Sequence, residues 1–343
     1  MTSTRREDII AFQFSSWYPI FSSLSIKSTI LPLDNDFKLY LEADGVFVPT
    51  GSEDLPPNST LSLEECDAHQ DSDDEATSRY AFPQLDAQVR AVIREYHAVF
   101  PKLNFPHQRH DAAWLLPSTS PLKCTSPADV YLLLKSSDFI THDLSADLVF
   151  EGCVDNDDAP GTLEYRLELV LRKWFAIDRS REMRAFVRDG VLLGISQRDM
   201  NYYEFLNEPE MQKKIVSSFS AYWAAHIKSK WTGPASYTFD VLLTRDLTRF
   251  HIIDFNPYAP RTDALLFTYN ELAAFPTATP PTLRVIDSHA HPAVTRNAPE
   301  HQHNMVPLEA LALSQGRNVE EFAAAWADHV RRGTAESDDE SEE

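Results

Sequence analysis

A carboxylate and an amide lie two residues apart in residues 250–257, an apolar segment with the composition of a β-strand. Residues two apart on a strand point to the same face, so Asp254 and Asn256 share a face. The same alternation predicts that Phe250 and Ile252 lie on that face too. A buried carboxylate requires a counter-charge. Because oxygen ligands directed at one point suit Mg²⁺, above all when phosphate completes its coordination shell, the pair indicates a metal site.

A second apolar strand that carries a single acid, Asp240, precedes this one at residues 237–243. Residues 244–248 have the composition of a hairpin turn, so we expect the two strands to pair antiparallel. That pairing would bring Asp240 near Asp254 and Asn256. We predict that these three residues hold magnesium on a nucleotide. The alternative left open by the spacing is a hairpin whose charged residues are solvated at its ends.

Neither of the common glycine-rich phosphate motifs, GxxxxGK[ST] and GxGxxG, occurs in this sequence, which has only nine glycines. A nucleotide would therefore have to be held by cationic side chains instead of by a backbone loop. Lys102 and Lys173, both in strand-like segments that precede the two acids, are the candidates. Two cations together with magnesium would neutralise a triphosphate.

Lys173 ends a segment of alternating residues that begins at Leu163. The alternation places Lys173 on the leucine-rich face, with Arg172 and Trp174 on the opposite one. A lysine at the end of such a face either has an anionic partner or extends its ammonium group into solvent, and the second is the default. The pattern by itself leaves both roles open.

Further polar side chains lie on a predicted hairpin that turns at Asp189-Gly190, a strong turn signal. Its first strand carries Glu182 and Arg184 on one face, and its second strand carries Arg198. Polar groups this dense on adjoining strands favour the wall of a binding site, and a solvated face is the alternative.

Periodicity predicts the remaining elements. Helices are predicted over 85–100, 129–135, 209–227 and 306–330, and strands over 26–33, 100–105 and 282–286. Residues 9–31 are dense in aromatic side chains, which we expect to pack on the core; a surface for a partner is the alternative.

The composition, with 43% hydrophobic and 24% charged residues in 343, is that of a soluble globular protein of two domains or one large one. No apolar run approaches the length needed to span a membrane, and the polar N-terminus has no secretory signal. Three widely spaced cysteines fit neither a disulfide framework nor a zinc motif. We therefore expect a reducing compartment, the cytosol or the nucleus, and of these two we predict a cytoplasmic protein.

The net charge of −21 is concentrated in two segments. Residues 53–75 contain nine acids and no lysine or arginine, and residues 336–343 contain six acids. Without these fifteen acids the net charge is −6. No basic stripe suited to nucleic acid is present, so we expect no nucleic-acid partner.

Many ordered segments of the chain resemble the cell division cycle protein 123 family, also called D123. The segments that carry the resemblance are FSSWYPIF at 14–21, SIKSTILPL at 25–33, FPKLNF at 100–105, DAAW at 111–114, LKC at 122–124, LLLKSSDFITHDL at 132–144, LELVLRKW at 167–174, REMRAFV at 181–187, GISQRD at 194–199, FDVLL at 239–243, IIDFNP at 252–257 and TDALLF at 262–267.

The resemblance implies an α/β (α+β) ATP-grasp fold that holds a nucleotide between two β-sheet subdomains. It implies ATP and Mg²⁺ as ligands and an assembly chaperone for eukaryotic translation initiation factor 2, which binds the C-terminal domain of the gamma subunit. The sequence does not show the oligomeric state, and a monomer is the default expectation. The ATP site carried over by motif comprises Lys102, Asn104, Phe105, Arg172, Lys173, Trp174, Glu182, Arg184 and Arg198, with Asp240, Asp254 and Asn256 as metal ligands.

Composition and the resemblance together suggest a division of the chain into six segments. These are an N-terminal aromatic segment with the first strands (1–49), an acidic disordered loop (50–79), a first ATP-grasp subdomain (80–150), a second one with the metal site (151–275), a C-terminal strand and helical region (276–333) and an acidic tail (334–343).

The resemblance points to ATP as a structural or regulatory ligand, with no catalytic residue. The alternative is a cytosolic ATP-grasp carboxylate ligase or phosphotransferase, for which no second-substrate motif is found. Residues 285–291 are also similar to the HxH motif of metal-dependent amidohydrolases. Only about fifty residues follow it, far fewer than a barrel of roughly 250 residues requires, so we disfavour that function. We expect Asp254→Ala to abolish magnesium-dependent ATP binding while leaving the fold intact.

Overall fold

The structure is a computed structural model that describes residues 5–53, 80–105, 122–137, 140–153, 165–277 and 280–294. The strands are β1 (Ser28–Pro32), β2 (Val99–Lys102), β3 (Glu168–Lys173), β4 (Glu182–Arg188), β5 (Val191–Gln197), β6 (Tyr237–Leu243), β7 (Phe250–Pro257) and β8 (Thr282–Arg284). The α-helices are α1 (Arg6–Ile10), α2 (Phe14–Phe21), α3 (Asn35–Glu42), α4 (Pro83–Tyr96), α5 (Pro127–Lys135), α6 (Ile140–Leu144), α7 (Ala146–Val149), α8 (Pro209–Tyr222) and α9 (Tyr269–Ala274).

The smaller sheet has three antiparallel strands in the order β1-β3-β2. Strand β3 is its centre and alternates as predicted. Leu169 and Leu171 point into a core that they share with α3, α4 and α5, whereas Val170 joins the core of the larger sheet. One face of β3 therefore packs in the core of the smaller sheet, and its other face packs in the core of the larger sheet.

The larger sheet has five strands in the order β7-β6-β4-β5-β8, antiparallel except for the β5–β8 pair. The β4–β5 turn contains Asp189 and Gly190 at φ 52° and 71°, the left-handed conformation that a tight hairpin requires. Helix α8 and the π-helical turn that continues it, Trp223–Ile227, cover one face of this sheet. Strand β7 is an edge strand, so one side of its backbone is open to other elements.

A β-bulge in β7 corrects the predicted alternation of this strand. The register between β6 and β7 shifts after the Asp240–Asp254 pair, where Ile253 is the extra residue. In a bulge of this kind, two successive residues of one strand point to the same side of the sheet. Residues on the far side of the bulge therefore point to the face opposite the one that simple alternation predicts. Phe250 and Ile252 accordingly pack in the same core as Phe255. The prediction that they share the face of Asp254 is wrong.

The two-sheet α/β prediction is confirmed, as are the predicted hairpins and the helices that end at Lys135 and begin at Pro209. The N-terminal aromatic residues pack as expected, because Phe14, Trp17 and Phe21 are buried in the core of the larger sheet. Several predicted features lie outside the described residues: most of the acidic loop 50–79, the DAAW segment, the terminal helical region and the acidic tail. The six-segment division stays a prediction.

Within the described part of the chain, no helix is both long and apolar enough to cross a membrane.

Candidate functional site

Three charged residues form a row across the larger sheet. Arg184 on β4 is the register partner of Asp240 on β6, and Asp240 is the partner of Asp254 on β7. Register partners on adjacent antiparallel strands have Cβ atoms about 4.5–5.5 Å apart. The predicted hairpin therefore brings the two acids together, and the bulge at Ile253, directly before Asp254, keeps the Asp254 side chain on the face opposite the apolar core.

Arginines hold Asp240 from two strands. The Arg184 guanidinium donates to both carboxylate oxygens, with Nε–Oδ1 and Nη2–Oδ2 distances of 2.7 and 2.8 Å. Arg198 at the end of β5 approaches Oδ2 with its Nε at 3.5 Å and donates to Glu182 Oε1 at 2.7 Å. Such bidentate pairs fix geometry as well as charge, so these side chains form one rigid network.

Cations of the smaller sheet reach Asp254. Lys102 Nζ on β2 donates to Asp254 Oδ1 at 2.7 Å, and Arg172 Nη2 on β3 lies 3.5 Å from the same oxygen. Arg172 Nη2 also donates to the carbonyl oxygen of Ile253 at 2.9 Å, which the edge position of β7 makes accessible. The two sheets are thus joined at Asp254 by ion pairs in which every side chain is buried.

An aromatic ring completes this contact. The ring centroid of Phe14 on α2 lies 5.2 Å from Lys102 Nζ and 5.3 Å from Arg172 Cζ, which is cation–π range for both. The Phe14 backbone N–H donates to the carbonyl of Asn104 at 2.9 Å, so the start of α2 is fixed to the loop that follows β2. Two buried cations share one carboxylate here, and the ring supplies further negative potential.

The site carries excess positive charge. It combines four cations, Lys102, Arg172, Arg184 and Arg198, with three carboxylates, Asp240, Asp254 and Glu182.

Burial penalises the charged groups of the site. It lowers the pKa of Lys102; Asp254 opposes this shift and Arg172 adds to it. Burial also raises the pKa of Glu182 above its ordinary value of 4.5, against the opposing charge of Arg198. An anionic ligand would favour the protonated form of Lys102.

Three polar groups of the site have no hydrogen-bond partner among the described residues. These are Arg172 Nε, Arg198 Nε and the Asn256 side-chain nitrogen, all buried. Buried polar groups in folded proteins are nearly always satisfied, and an unmet one costs about 1–3 kcal/mol. Asn256 lies two residues beyond Asp254 on the same face of β7, as predicted. The vicinity of Asp254 thus offers a carboxylate, an amide and an unsatisfied guanidinium N–H to a ligand.

The predicted magnesium ligands lie together, although Asp240 is already engaged by two arginines. Among the described residues, no group of three or more His, Cys, Asp or Glu side chains is arranged to hold a metal. Asp254 is bound by Lys102 and Arg172 through Oδ1 alone. The donor set therefore fits a metal that takes one or two protein ligands and completes its shell with phosphate and water, as Mg²⁺ does.

Four other predicted site residues lie apart from this ion-pair network. The Asn104 side-chain amide donates to Arg166 O and accepts from Glu168 N, each at 2.6 Å. It is therefore bonded to the backbone where the chain enters β3. The Phe105 N–H donates to Asp143 Oδ2 at 2.9 Å. These contacts fix the loop that follows β2.

Strand alternation separates Lys173 from the network. Lys173 is exposed at the end of the leucine face of β3, on the side opposite Arg172, and Trp174 beyond it is half-buried. The cation of β3 that reaches the acids is therefore Arg172. The residue missed by the sequence analysis as a site residue is Phe14, and the only signal for it was the aromatic segment in which it lies.

The sequence model of the D123 family matches residues 17–314, which is most of the chain. This chain belongs to the D123 family. Among D123 relatives, the Schizosaccharomyces pombe protein named translation initiation factor eIF2 assembly protein is 36% identical over 332 residues, covering 94% of this chain and 96% of the relative. The Xenopus laevis protein of the same name is 38% identical over 275 residues, 78% of each chain.

A solved D123 structure, that of Cdc123 from Schizosaccharomyces pombe, matches this chain with a TM-score of 0.64 at 32% identity. The match covers 84% of this chain and 100% of that one. The resemblance found in the sequence is confirmed, and so is the predicted mixed α/β class: this D123 protein has an α/β fold with two sheets.

Proposed function

We propose that this D123 protein assists the assembly of eukaryotic translation initiation factor 2 (eIF2) and that it binds ATP with Mg²⁺ between its two sheets. The observation that carries the assembly role is the relationship to eIF2 assembly proteins over 94% of this chain and 96% of the S. pombe relative. Likeness over nearly the full length of both chains favours a shared role more strongly than a shared domain would.

The ligand proposal is supported by the charge of the site. Four cations against three carboxylates leave one net positive charge in a buried region where two sheets meet. A triphosphate is an anion that such a site can neutralise, and it would satisfy the unmet N–H of Arg172. We assign the phosphates to Lys102, Arg172, Arg184 and Arg198.

The metal proposal rests on Asp254 and Asn256, with Asp240 beside them. Asp254 Oδ2 takes part in neither of the ion pairs with Lys102 and Arg172, so it is the carboxylate oxygen that we assign to the metal. Bound Mg²⁺ would neutralise the phosphate charge and orient the nucleotide. Asn104, Phe105, Lys173 and Trp174 stay predicted neighbours of the nucleotide; in this structure the first two fix the backbone beside Lys102.

The partner proposal is that the protein binds the C-terminal domain of the eIF2 gamma subunit as a monomer in the cytoplasm. It rests on the family resemblance and on the names of the relatives. The acidic net charge of −21 favours a protein partner over nucleic acid. We further propose that ATP acts as a bound ligand that stabilises the two-sheet arrangement and is not turned over.

Two measurements on the full-length protein test this function. The first is calorimetric titration of ATP with and without Mg²⁺, followed by an assay for ADP. The second is capture of the purified gamma subunit and its isolated C-terminal domain. Saturable magnesium-dependent binding without turnover, together with gamma-subunit capture, is the expected result. Rapid ADP formation in the presence of a small carboxylate would replace the assembly role with that of a ligase, and failure to bind ATP would remove the nucleotide assignment.

A further inference from the structure

Each charged magnesium ligand proposed above is neutralised by cations of the protein itself. Asp254 Oδ1 is shared by Lys102 at 2.7 Å and Arg172 at 3.5 Å. Asp240 is held by Arg184 through both oxygens and approached by Arg198. A divalent cation that approaches this site therefore meets at least as many positive charges as negative ones.

We propose that Lys102 and Arg172 are internal counter-ions that exclude free divalent cations from Asp254, so that Mg²⁺ binds only together with a polyphosphate. This inference rests on the proposed nucleotide function and concerns the regulation of the same site. It predicts that the apparent affinity for the metal is set by Lys102, a residue that is not a metal ligand.

The argument begins with repulsion in a poorly solvated region. Lys102, Arg172 and Asp254 are 5%, 7% and 3% exposed, so water screens their charges weakly. Mg²⁺ gives up its own water reluctantly and needs concentrated negative charge to do so. A single carboxylate already bonded to a lysine and close to an arginine does not provide that charge.

A polyphosphate changes the balance because it supplies acceptors for the same cations. Phosphate oxygens are strong partners for lysine and arginine, and they bring several negative charges into the site. Lys102 and Arg172 can then exchange the shared Oδ1 for phosphate oxygens, which leaves Asp254 to the metal. Because coupling between two ligands is reciprocal, Mg²⁺ must raise the affinity for the polyphosphate by the same factor by which the polyphosphate raises the affinity for Mg²⁺.

The experiment uses Mn²⁺ as a spectroscopic substitute for Mg²⁺ and measures its binding to the full-length protein by electron paramagnetic resonance, first without nucleotide. Wild type is expected to bind Mn²⁺ weakly. Lys102→Met removes the competing charge while keeping an unbranched chain, so it is expected to bind Mn²⁺ about tenfold more tightly or better, the size of the coupling measured for close buried charge pairs. The same variant is expected to bind Mg·ATP more weakly than wild type.

Lys135→Met is the matched control. Burial also lowers the pKa of Lys135, but its Nζ donates to the carbonyl oxygens of Tyr40 and Ala43 at the C-terminal end of α3. This variant is expected to leave Mn²⁺ binding unchanged. Arg172→Met serves as a second variant if Lys102→Met does not fold, with the same direction of change expected.

The inference is overturned if wild type binds Mn²⁺ alone as tightly as it does with a non-hydrolysable ATP analogue, or if the variants bind Mn²⁺ no better than wild type. These results are separable from failure of the proposed function. A protein that binds no Mg·ATP refutes the nucleotide role, whereas tight Mn²⁺ binding by wild type refutes only the counter-ion role.

Discussion

Replacement of Asp254 by asparagine is the sharpest test of how the two sheets are joined. In the structure this carboxylate neutralises Lys102 and Arg172, and all three side chains are buried. The asparagine keeps the shape but removes the charge, so the two buried cations lose the carboxylate that they share. Breaking a buried ion pair by removing one partner costs about 3–5 kcal/mol.

The expected loss is therefore about 3 kcal/mol in the free energy of unfolding. With an unfolding entropy of about 2.1 cal/mol/K per residue, a chain of 343 residues loses roughly 1.4 °C for each 1 kcal/mol, so the midpoint should fall by roughly 4 °C. From the sequence, Asp254→Ala is expected to leave the fold intact. The buried ion pairs of Asp254 replace that expectation with a loss of stability. The alanine variant would remove the same charge and leave a cavity as well, so loss of ATP binding in it would not identify a metal ligand.

A double-mutant cycle separates the ion pair from other effects. Unfolding by urea is measured for Asp254→Asn, Lys102→Met and the double variant. We expect a coupling energy of about 1.5 kcal/mol or more, because the double variant no longer buries an unpaired lysine. The control, Asp147→Asn, makes the same chemical change at an exposed position on α7 and should cost less than about 0.5 kcal/mol. Additive single effects, or an Asp254→Asn cost as small as that of the control, would refute the ion-pair argument.

The remaining predictions concern the ligand and the pH dependence. Phe14→Leu should weaken ATP binding about 2- to 30-fold in calorimetry, because it removes cation–π contacts of about 0.5–2 kcal/mol from Lys102 and Arg172. Phe14→Tyr keeps an aromatic ring and should bind ATP as wild type does. Equal affinities for the two variants would contradict this role of the ring. Arg172→Gln should weaken ATP binding more than Lys173→Gln, because only Arg172 reaches Asp254; the opposite order would restore Lys173 as the phosphate ligand. Burial raises the pKa of Glu182, so the stability that its protonated form contributes is complete below pH 4.5 and is lost as the pH rises through the raised pKa. Between pH 4.5 and neutrality, the urea unfolding midpoint of Glu182→Gln should therefore fall less steeply with pH than that of wild type. An equally steep fall in both proteins would count against this assignment.

Local patterns in the sequence determined the elements of the site and their pairing. The Asp189-Gly190 turn fixed one hairpin, and the spacing of Asp240 and Asp254 around a short turn placed the two acids opposite each other. Such features depend on turn chemistry and on neighbouring residues, which a single sequence displays. The family likewise followed from the order of many short segments, which the match over residues 17–314 confirms.

The tertiary structure decided which side chains meet. Alternation on β3 shows which residues share a face, but it does not show which face lies towards the other sheet. In the tertiary structure the face that carries Arg172 packs against the larger sheet, and Lys173 is exposed. The bulge at Ile253 depends on the fit between β6 and β7, so alternation alone misassigned Phe250 and Ile252. The mutual neutralisation of the charged residues joins chain segments up to 152 residues apart, and a contact at that separation leaves no periodic trace in the sequence.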